Sequence, residues 1–339
     1  MLIRDLIEGK PVRRTPIWLM RQAGRYLPEY RAIKEKRSFL EMCHDPDLIY
    51  EITMQPMRRF DFDAAIIFSD ILILAEAMGV PVDFLPEPQI LDPVRDANRV
   101  AQIRIGGIQE RIGFLLKAIE RVRRELSEEK ALFGFAGAPF TIAAYMVEGK
   151  GSKDFVETKR LMYRNKTVFC DLLNKISEAL VPFLKAQVEA GCDLVQIFDS
   201  WASVLSFDDY CEFALESVRS VILELKSQGI PVIYYINGGG PYLSMLKDTG
   251  ADVISIDHRV DPKEALKALH GLLIQGNLDP SVLLGDEAVI RARARRIMQA
   301  FKGAKGHIFN LGYGVLKETS IEAIQWLVEE VHRTEHANN

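Results

Sequence analysis

Apolar and polar positions along the chain fall into a repeating two-part unit. Short runs rich in β-branched or aromatic residues, each ending on a polar residue or Gly, alternate with longer stretches of helical period. The runs are "TPIWLM" from Thr15, "AAIIFS" from Ala64, "ALFGFAG" from Ala131, "DLVQIF" from Asp193, "PVIYYI" from Pro231, "DVISI" from Asp252, "LLIQG" from Leu272 and "HIFNLG" from His307. Between them the pattern predicts helices over 47–60, 113–126, 169–191, 210–229, 241–250, 262–270, 287–301 and 321–333, several of which stop at Gly. Continuously apolar strands separated by helices imply parallel pairing with both sheet faces covered. Eight such units favour an α/β fold of the closed (β/α)8 TIM-barrel type, with an open doubly wound sheet as the alternative. No linker or low-complexity segment divides the chain, so residues 1–339 are expected to form one domain.

In such a barrel the chemistry sits at the carboxyl ends of the strands and in the loops that follow. Arg21 falls there after the first run, and so do Asp70, Asp199 with Ser200, Asn237, Asp257 with His258, and Asn310 with Tyr313. Arg21 and Arg25 flank "QAG", and Gly24 would let backbone come close to a ligand; the loop reads as a clamp for carboxylates, with ordinary ion pairing as the alternative. Asp70 either caps the helix that follows or serves chemistry, and nearby arginines would keep it ionised. Tyr145, in "GAPFTIAAYMVEGKGSKDF", is either a core tyrosine or a rim hydroxyl. "GKGSK" lacks phosphate-loop spacing and reads as a basic loop over the barrel mouth. Ser200 has no nucleophile elbow around it and reads as a hydrogen-bond donor. The arginines of 287–301 read as a solvated helix face.

Composition narrows the partners. Forty-three Lys and Arg against 47 Asp and Glu give a net charge of −4, which excludes general affinity for nucleic acid. An anionic ligand would need a local basic cluster opposing the overall field. The four cysteines form no CxxC or CxxH pair, so no metal site is indicated. No run approaches the roughly 20 apolar residues of a membrane span, and the acids in "MLIRDLIEGK" are unlike a targeting segment, so a cytoplasmic protein is expected.

Taken together, "PIWLMRQAGRYLPEYR", "IIFSDIL", "GAPFTIAAYMVEGKGSKDF", "FDSWAS", "QGNLDP" and "HIFNLGYG" resemble the uroporphyrinogen decarboxylases over about residues 3 to 333. The resemblance implies a single-domain (β/α)8 barrel, a homodimer, and no metal or organic cofactor. It implies removal of carbon dioxide from the four acetate side chains of uroporphyrinogen III to give coproporphyrinogen III in haem biosynthesis. By motif match, Arg21, Gln22, Ala23, Gly24 and Arg25 would bind substrate carboxylates, and Asp70 would accept the pyrrole N–H groups. Tyr145 would lie near the reacting acetate, and Ser200 would hold another carboxylate. Asp70, Tyr145, Arg21 and Arg25 are thereby the expected catalytic groups. Two positions depart from the family pattern. Tyr313 stands where NLGHG has a substrate-contacting His, keeping a donor but no positive charge. His258 follows Asp257 where Trp is common, and is taken to restore part of the missing imidazole function. The rivals are a zinc-dependent methyltransferase, whose His-x-Cys pair is missing from the sequence, and a non-catalytic tetrapyrrole carrier, which would need only the arginines.

Overall fold

The computed structural model describes residues 1–84 and 88–333. Seven of the eight predicted strands form: β1 (Ala64–Ile66), β4 (Ala131–Gly137), β5 (Leu194–Asp199), β6 (Val232–Ile236), β7 (Val253–Ile256), β8 (Leu273–Leu278) and β9 (Gly306–Leu311). They pair in parallel in the order β1-β4-β5-β6-β7-β8-β9, each reached from the last by helical connections. A separate two-stranded antiparallel piece joins β2 (Val82–Asp83) to β3 (Gln89–Ile90).

The expected eighth strand, "TPIWLM", is corrected to an extended segment. It holds one parallel bridge, Ile17 to Phe309 of β9, and no ladder. Chemistry explains the shortfall: Pro16 has no N–H to donate, and the Met20 N–H goes to the Asn310 side chain at 2.9 Å. The segment nevertheless lies between the sheet's two end strands. Pro16 O accepts the Phe309 N–H, and Ile17 O accepts the N–H of Asp63, just before β1. The regular sheet is therefore a curled seven-stranded one rather than an eight-stranded barrel.

On the concave face, side chains of alternate strand positions pack together, among them Trp18, Phe133, Leu194, Ile233, Tyr235 and Leu273. The first helix, Leu2–Ile7, adds Ile3 and Leu6 at the amino ends of the strands. One polar layer interrupts this interior. Gln275 takes the Trp18 indole N–H at 2.9 Å and donates to Gln196 at 3.0 Å and Ser255 at 2.9 Å, so most of the layer's hydrogen-bonding groups are paired. The helices pack outside, largely as predicted. The expected helix over 241–250 is instead two short 3₁₀ turns, Gly240–Tyr242 and Leu246–Thr249. Arg291 is also not on a solvated face. It ties the helix Glu287–Ala300 to Ile321–Arg333 through Glu329 and Glu330.

Candidate active site

The strand-end loops carry an unusual share of unpaired polar atoms. Buried and without a partner among the described residues are Ser69 Oγ, His258 Nδ1, Asn277 Oδ1 and Asn310 Nδ2. Buried polar groups are paired in the great majority of cases. Their clustering at the carboxyl ends of the strands marks a place that a ligand or water would complete.

Arg21 leaves the first segment in the left-handed region, at φ 61°, which is rare for a residue with a side chain. Its guanidinium lies over the Tyr313 ring, 5.1 Å from the centroid. Arg25 follows on the same loop. Both side chains are exposed, and neither forms an ion pair among the described residues. Burial lifts the Tyr30 hydroxyl to about 12 against the pull of both, so the two cations share one neighbourhood. The rest of the motif builds the loop. Gln22 is buried, its Nε2 donating to Ala64 O at 3.0 Å and its Oε1 accepting the Leu19 N–H at 3.2 Å. Ala23 packs on the core beneath, and a Cβ on Gly24 would stand 3.1 Å from Arg21 O, so Gly24 serves the tightness of the turn. Arg31 caps the same loop, donating to the carbonyls of Arg25 and Tyr26.

Asp70 lies half-buried after β1. Its Oδ1 takes the Leu72 N–H at 2.9 Å, a local turn just before the helix Ile73–Ala77 and not a side-chain cap on the helix itself. The other carboxylate oxygen takes no hydrogen bond among the described residues. Arg21 does pull Asp70 toward its ionised form, but it is not the largest influence on the carboxyl. Burial pushes the carboxyl up to about 6, and the Leu72 N–H and Arg21 only partly oppose it. Tyr145 sits half-buried on the helix Pro139–Glu148. Burial raises its hydroxyl to about 12; Trp201 and Arg21 pull it down, while Asp70 and Tyr313 push it up. Asp70, Arg21, Tyr145, Tyr313 and Trp201 are thus all within electrostatic reach of one another's site, although they come from five separate segments. The "GKGSK" loop does cross this place: a Cβ on Gly151 would lie 3.9 Å from the Tyr145 hydroxyl and 3.7 Å from the Trp201 ring.

Ser200 is half-buried at the end of β5, its carbonyl facing Asn237 Nδ2 at 3.4 Å. Trp201 was not anticipated, although its position beside Ser200 in "FDSWAS" was the available signal. It packs edge-on against Tyr145 at 6.0 Å and tilted against Phe155 at 4.9 Å. Thr141 Oγ1 holds its backbone N–H. Other rim carboxylates turn out to be framework. Asp199, also raised to about 6 by burial, points into the helix layer and accepts from Thr141 and Tyr234. A perturbed carboxyl alone therefore does not locate the site; its direction does. Asp257 is fully buried, holding the backbone of Gly238 and Gly239 and the Arg259 side chain. His258 sits with its backbone against Gly312. Burial opposes ionisation of Asp279, but Ser281, His258 and Arg293 hold that carboxyl below its usual range. Among the described residues no three His, Cys, Asp or Glu side chains gather as a metal-ligand set.

A curled parallel α/β sheet with helices outside and a polar, arginine-bearing rim at its carboxyl ends is the plan of a TIM-barrel-like enzyme. The family model described as uroporphyrinogen decarboxylase (URO-D) matches residues 2–334, and the chain belongs to that family. It is 45% identical over 326 residues to the uroporphyrinogen decarboxylase of Syntrophotalea carbinolica, covering 96% of this chain and 95% of that one. It is 47% identical over 326 residues to that of Myxococcus xanthus, covering 96% and 93%. Among solved structures, a methyltransferase from Methanosarcina mazei shares the fold at a TM-score of 0.80 and 20% identity, covering 98% of this chain and 97% of that one. A B12-independent methionine synthase from Shewanella shares it more loosely, at 0.58 and 13% identity over 95% of this chain and 96% of that one.

Proposed function

We propose that this chain decarboxylates uroporphyrinogen, converting the four acetate side chains of uroporphyrinogen III to methyl groups in porphyrin biosynthesis. One observation carries the residue assignment: Asp70, Tyr145, Arg21 and Tyr313, far apart in sequence, converge on one rim of the sheet. In the proposed course a pyrrole carbon takes a proton and the ring becomes cationic. The bond from the acetate methylene to its carboxylate then breaks, and the electron pair flows into the ring as carbon dioxide leaves. The exocyclic carbon takes a second proton and the ring gives up the first, so each acetate consumes one proton net. The protons come from water or a substrate carboxyl, since a guanidinium is a poor acid.

In this scheme Asp70 accepts the pyrrole N–H groups and faces the transient cation as a fixed anion. Arg21 and Arg25, free of protein acids, take substrate carboxylates, while Gln22, Ala23 and Gly24 shape the loop that presents them. Ser200 contributes a hydroxyl to another carboxylate. Tyr145, protonated at neutral pH, offers its O–H to Asp70 or the reacting acetate. Tyr145→Phe should lower kcat by roughly ten- to a hundred-fold, the worth of one hydrogen bond to a charged group. The same scheme has a single-domain (β/α)8 barrel with 15–20 as its eighth stave, acting as a cytoplasmic homodimer without metal or organic cofactor. No helix among the described residues is long and apolar enough to cross a membrane.

The deciding experiment is anaerobic incubation of the purified protein with chemically reduced uroporphyrin, no metal or cofactor added, with loss of carboxyl groups followed by chromatography. Stepwise appearance of hepta- to tetracarboxylate products is expected. An unchanged octacarboxylate would remove the assignment.

A further inference from the structure

We propose that Tyr313 acts through its ring face rather than its hydroxyl: it is a positioning residue that holds the Arg21 guanidinium ready for a substrate carboxylate. This deepens the decarboxylase assignment and rests on it for the identity of the ligand. The loop that carries Tyr313 is pinned on both sides of it. Before it, Gly312 N–H donates to Leu278 O at 2.7 Å and Gly312 O accepts from the Tyr235 hydroxyl at 3.1 Å. After it, Val315 N–H donates to Met20 O at 2.9 Å, which stitches the loop to the residue preceding Arg21. Tyr313 is thus held at the apex between two anchored ends, with its ring beneath the Arg21 guanidinium at 5.1 Å.

The two glycines flanking Tyr313 have matching reasons. A Cβ on Gly312 would stand 2.0 Å from the His258 backbone nitrogen, so only Gly lets the loop seat there. A Cβ on Gly314 would stand 2.3 Å from Arg21 Cδ and 2.7 Å from Cγ, so only Gly leaves room for the arginine side chain to lie across the loop. Arg21 itself adopts the unfavourable left-handed backbone at φ 61°. No acid among the described residues competes for its guanidinium, and the face of an aromatic ring attracts a cation without neutralising it. The cation is held in place yet keeps its charge and its N–H donors for an incoming anion.

The test compares affinity for uroporphyrin, measured by its fluorescence, with KM and kcat for the reduced substrate in three variants. Tyr313→Leu removes the ring and should weaken Kd and raise KM about three- to thirty-fold, the range of a cation–π contact from exposed to desolvated. The loss should fall on Kd and KM more than on kcat. Tyr313→Phe keeps the ring and should regain most of what Leu loses. Gly314→Ala leaves the ring intact but displaces the arginine stem, and should reproduce the Leu defect even if the Leu variant folds poorly. A Phe variant as weak as Leu would mean the hydroxyl acts. Unchanged affinity in Leu and Gly314→Ala, or a loss confined to kcat, would equally overturn the proposal. Because binding is read without turnover, a wild type that binds but does not decarboxylate would sink the activity and leave the positioning role to be judged by Kd.

Discussion

Asp70→Asn is expected to cut kcat by a factor of about 100 to 1,000 while raising thermal stability at neutral pH. The catalytic half follows from the role of a fixed anion against a transient ring cation, since losing one preorganised electrostatic partner typically costs about 3 to 4 kcal/mol of barrier. The stability half follows from the sign of the Asp70 shift. Burial raises the folded-state value to about 6, above the ordinary carboxyl value of 3.8. A carboxyl that is harder to ionise in the fold favours the folded state at low pH, and that advantage disappears as pH rises from about 4 through about 6. Above that window the wild type holds a charge in a partly dry place, and the neutral isostere does not. Activity and stability should therefore move in opposite directions, as at sites that store charge for function. The pH profile should agree. In the free enzyme kcat/KM should fall as pH drops below about 6, because protonated Asp70 carries no charge. The corresponding limb of kcat should lie lower, because pyrrole N–H donors favour the ionised form. Wild-type turnover in Asp70→Asn, checked with reduced substrate under anaerobic conditions, would exclude the chemistry. A lowered melting temperature would contradict the electrostatic account of the carboxyl.

The architecture was legible where a run of apolar residues ends in a polar one, because burial on both faces leaves that pattern and little else does. Seven of the eight runs became strands. The eighth lost its ladder through two particulars: a proline without a donor, and an Asn310 side chain that captures the Met20 N–H. Pattern alone gives no sign of the second, since it depends on residues 290 positions apart. The rim was legible for the same reason as the strands, but direction along it was not. Phe198 belongs to the concave interior, so the next residue, Asp199, turns outward to Thr141 and Tyr234. Gln22 reads as a polar motif residue, yet its amide is spent on Ala64 O and the Leu19 N–H. Trp201 carries no signal of its own in the sequence, yet its ring packs against Tyr145 at the rim. In each case what decided the role was which neighbour the fold brings within reach, backbone groups for Gln22, hydroxyls for Asp199 and the Tyr145 ring for Trp201, and a linear sequence does not state that.

Asp63→Ala should destabilise the fold by about 3 to 5 kcal/mol and, through the segment it anchors, weaken substrate binding as well. Asp63 is buried and takes Arg14 in a two-pronged ion pair, Nη1 to Oδ2 at 2.6 Å and Nη2 to Oδ1 at 2.7 Å. The same carboxylate accepts the Ile17 N–H at 2.8 Å, while the Asp63 N–H donates to Ile17 O at 2.8 Å and its carbonyl accepts from Ala131. One residue thus fastens the irregular 15–20 segment to both β1 and β4, at the place where regular strand pairing is missing. Removing the carboxylate strands a nearly buried guanidinium and an orphaned backbone donor, the costly way to break a buried pair. Here the titration runs opposite to that of Asp70. Burial alone would raise Asp63, but His332, Arg14 and the Ile17 N–H together hold it below its ordinary value of 3.8. Its contribution is therefore present above that value and lost as pH falls below it, so the variant should give up the acid-dependent part of wild-type unfolding. Urea titration should show a lower midpoint with an unchanged slope. Adding Arg14→Met to Asp63→Leu should recover part of the loss, because an apolar pair leaves no stranded charge. Since residues 17 to 20 lead directly into Arg21, Asp63→Ala should also raise KM while the variant remains folded. A midpoint equivalent to less than about 1 kcal/mol from wild type would place the pair among the surface contacts that contribute little, and the stave would have to be held by the Phe309 and Asn310 bonds alone.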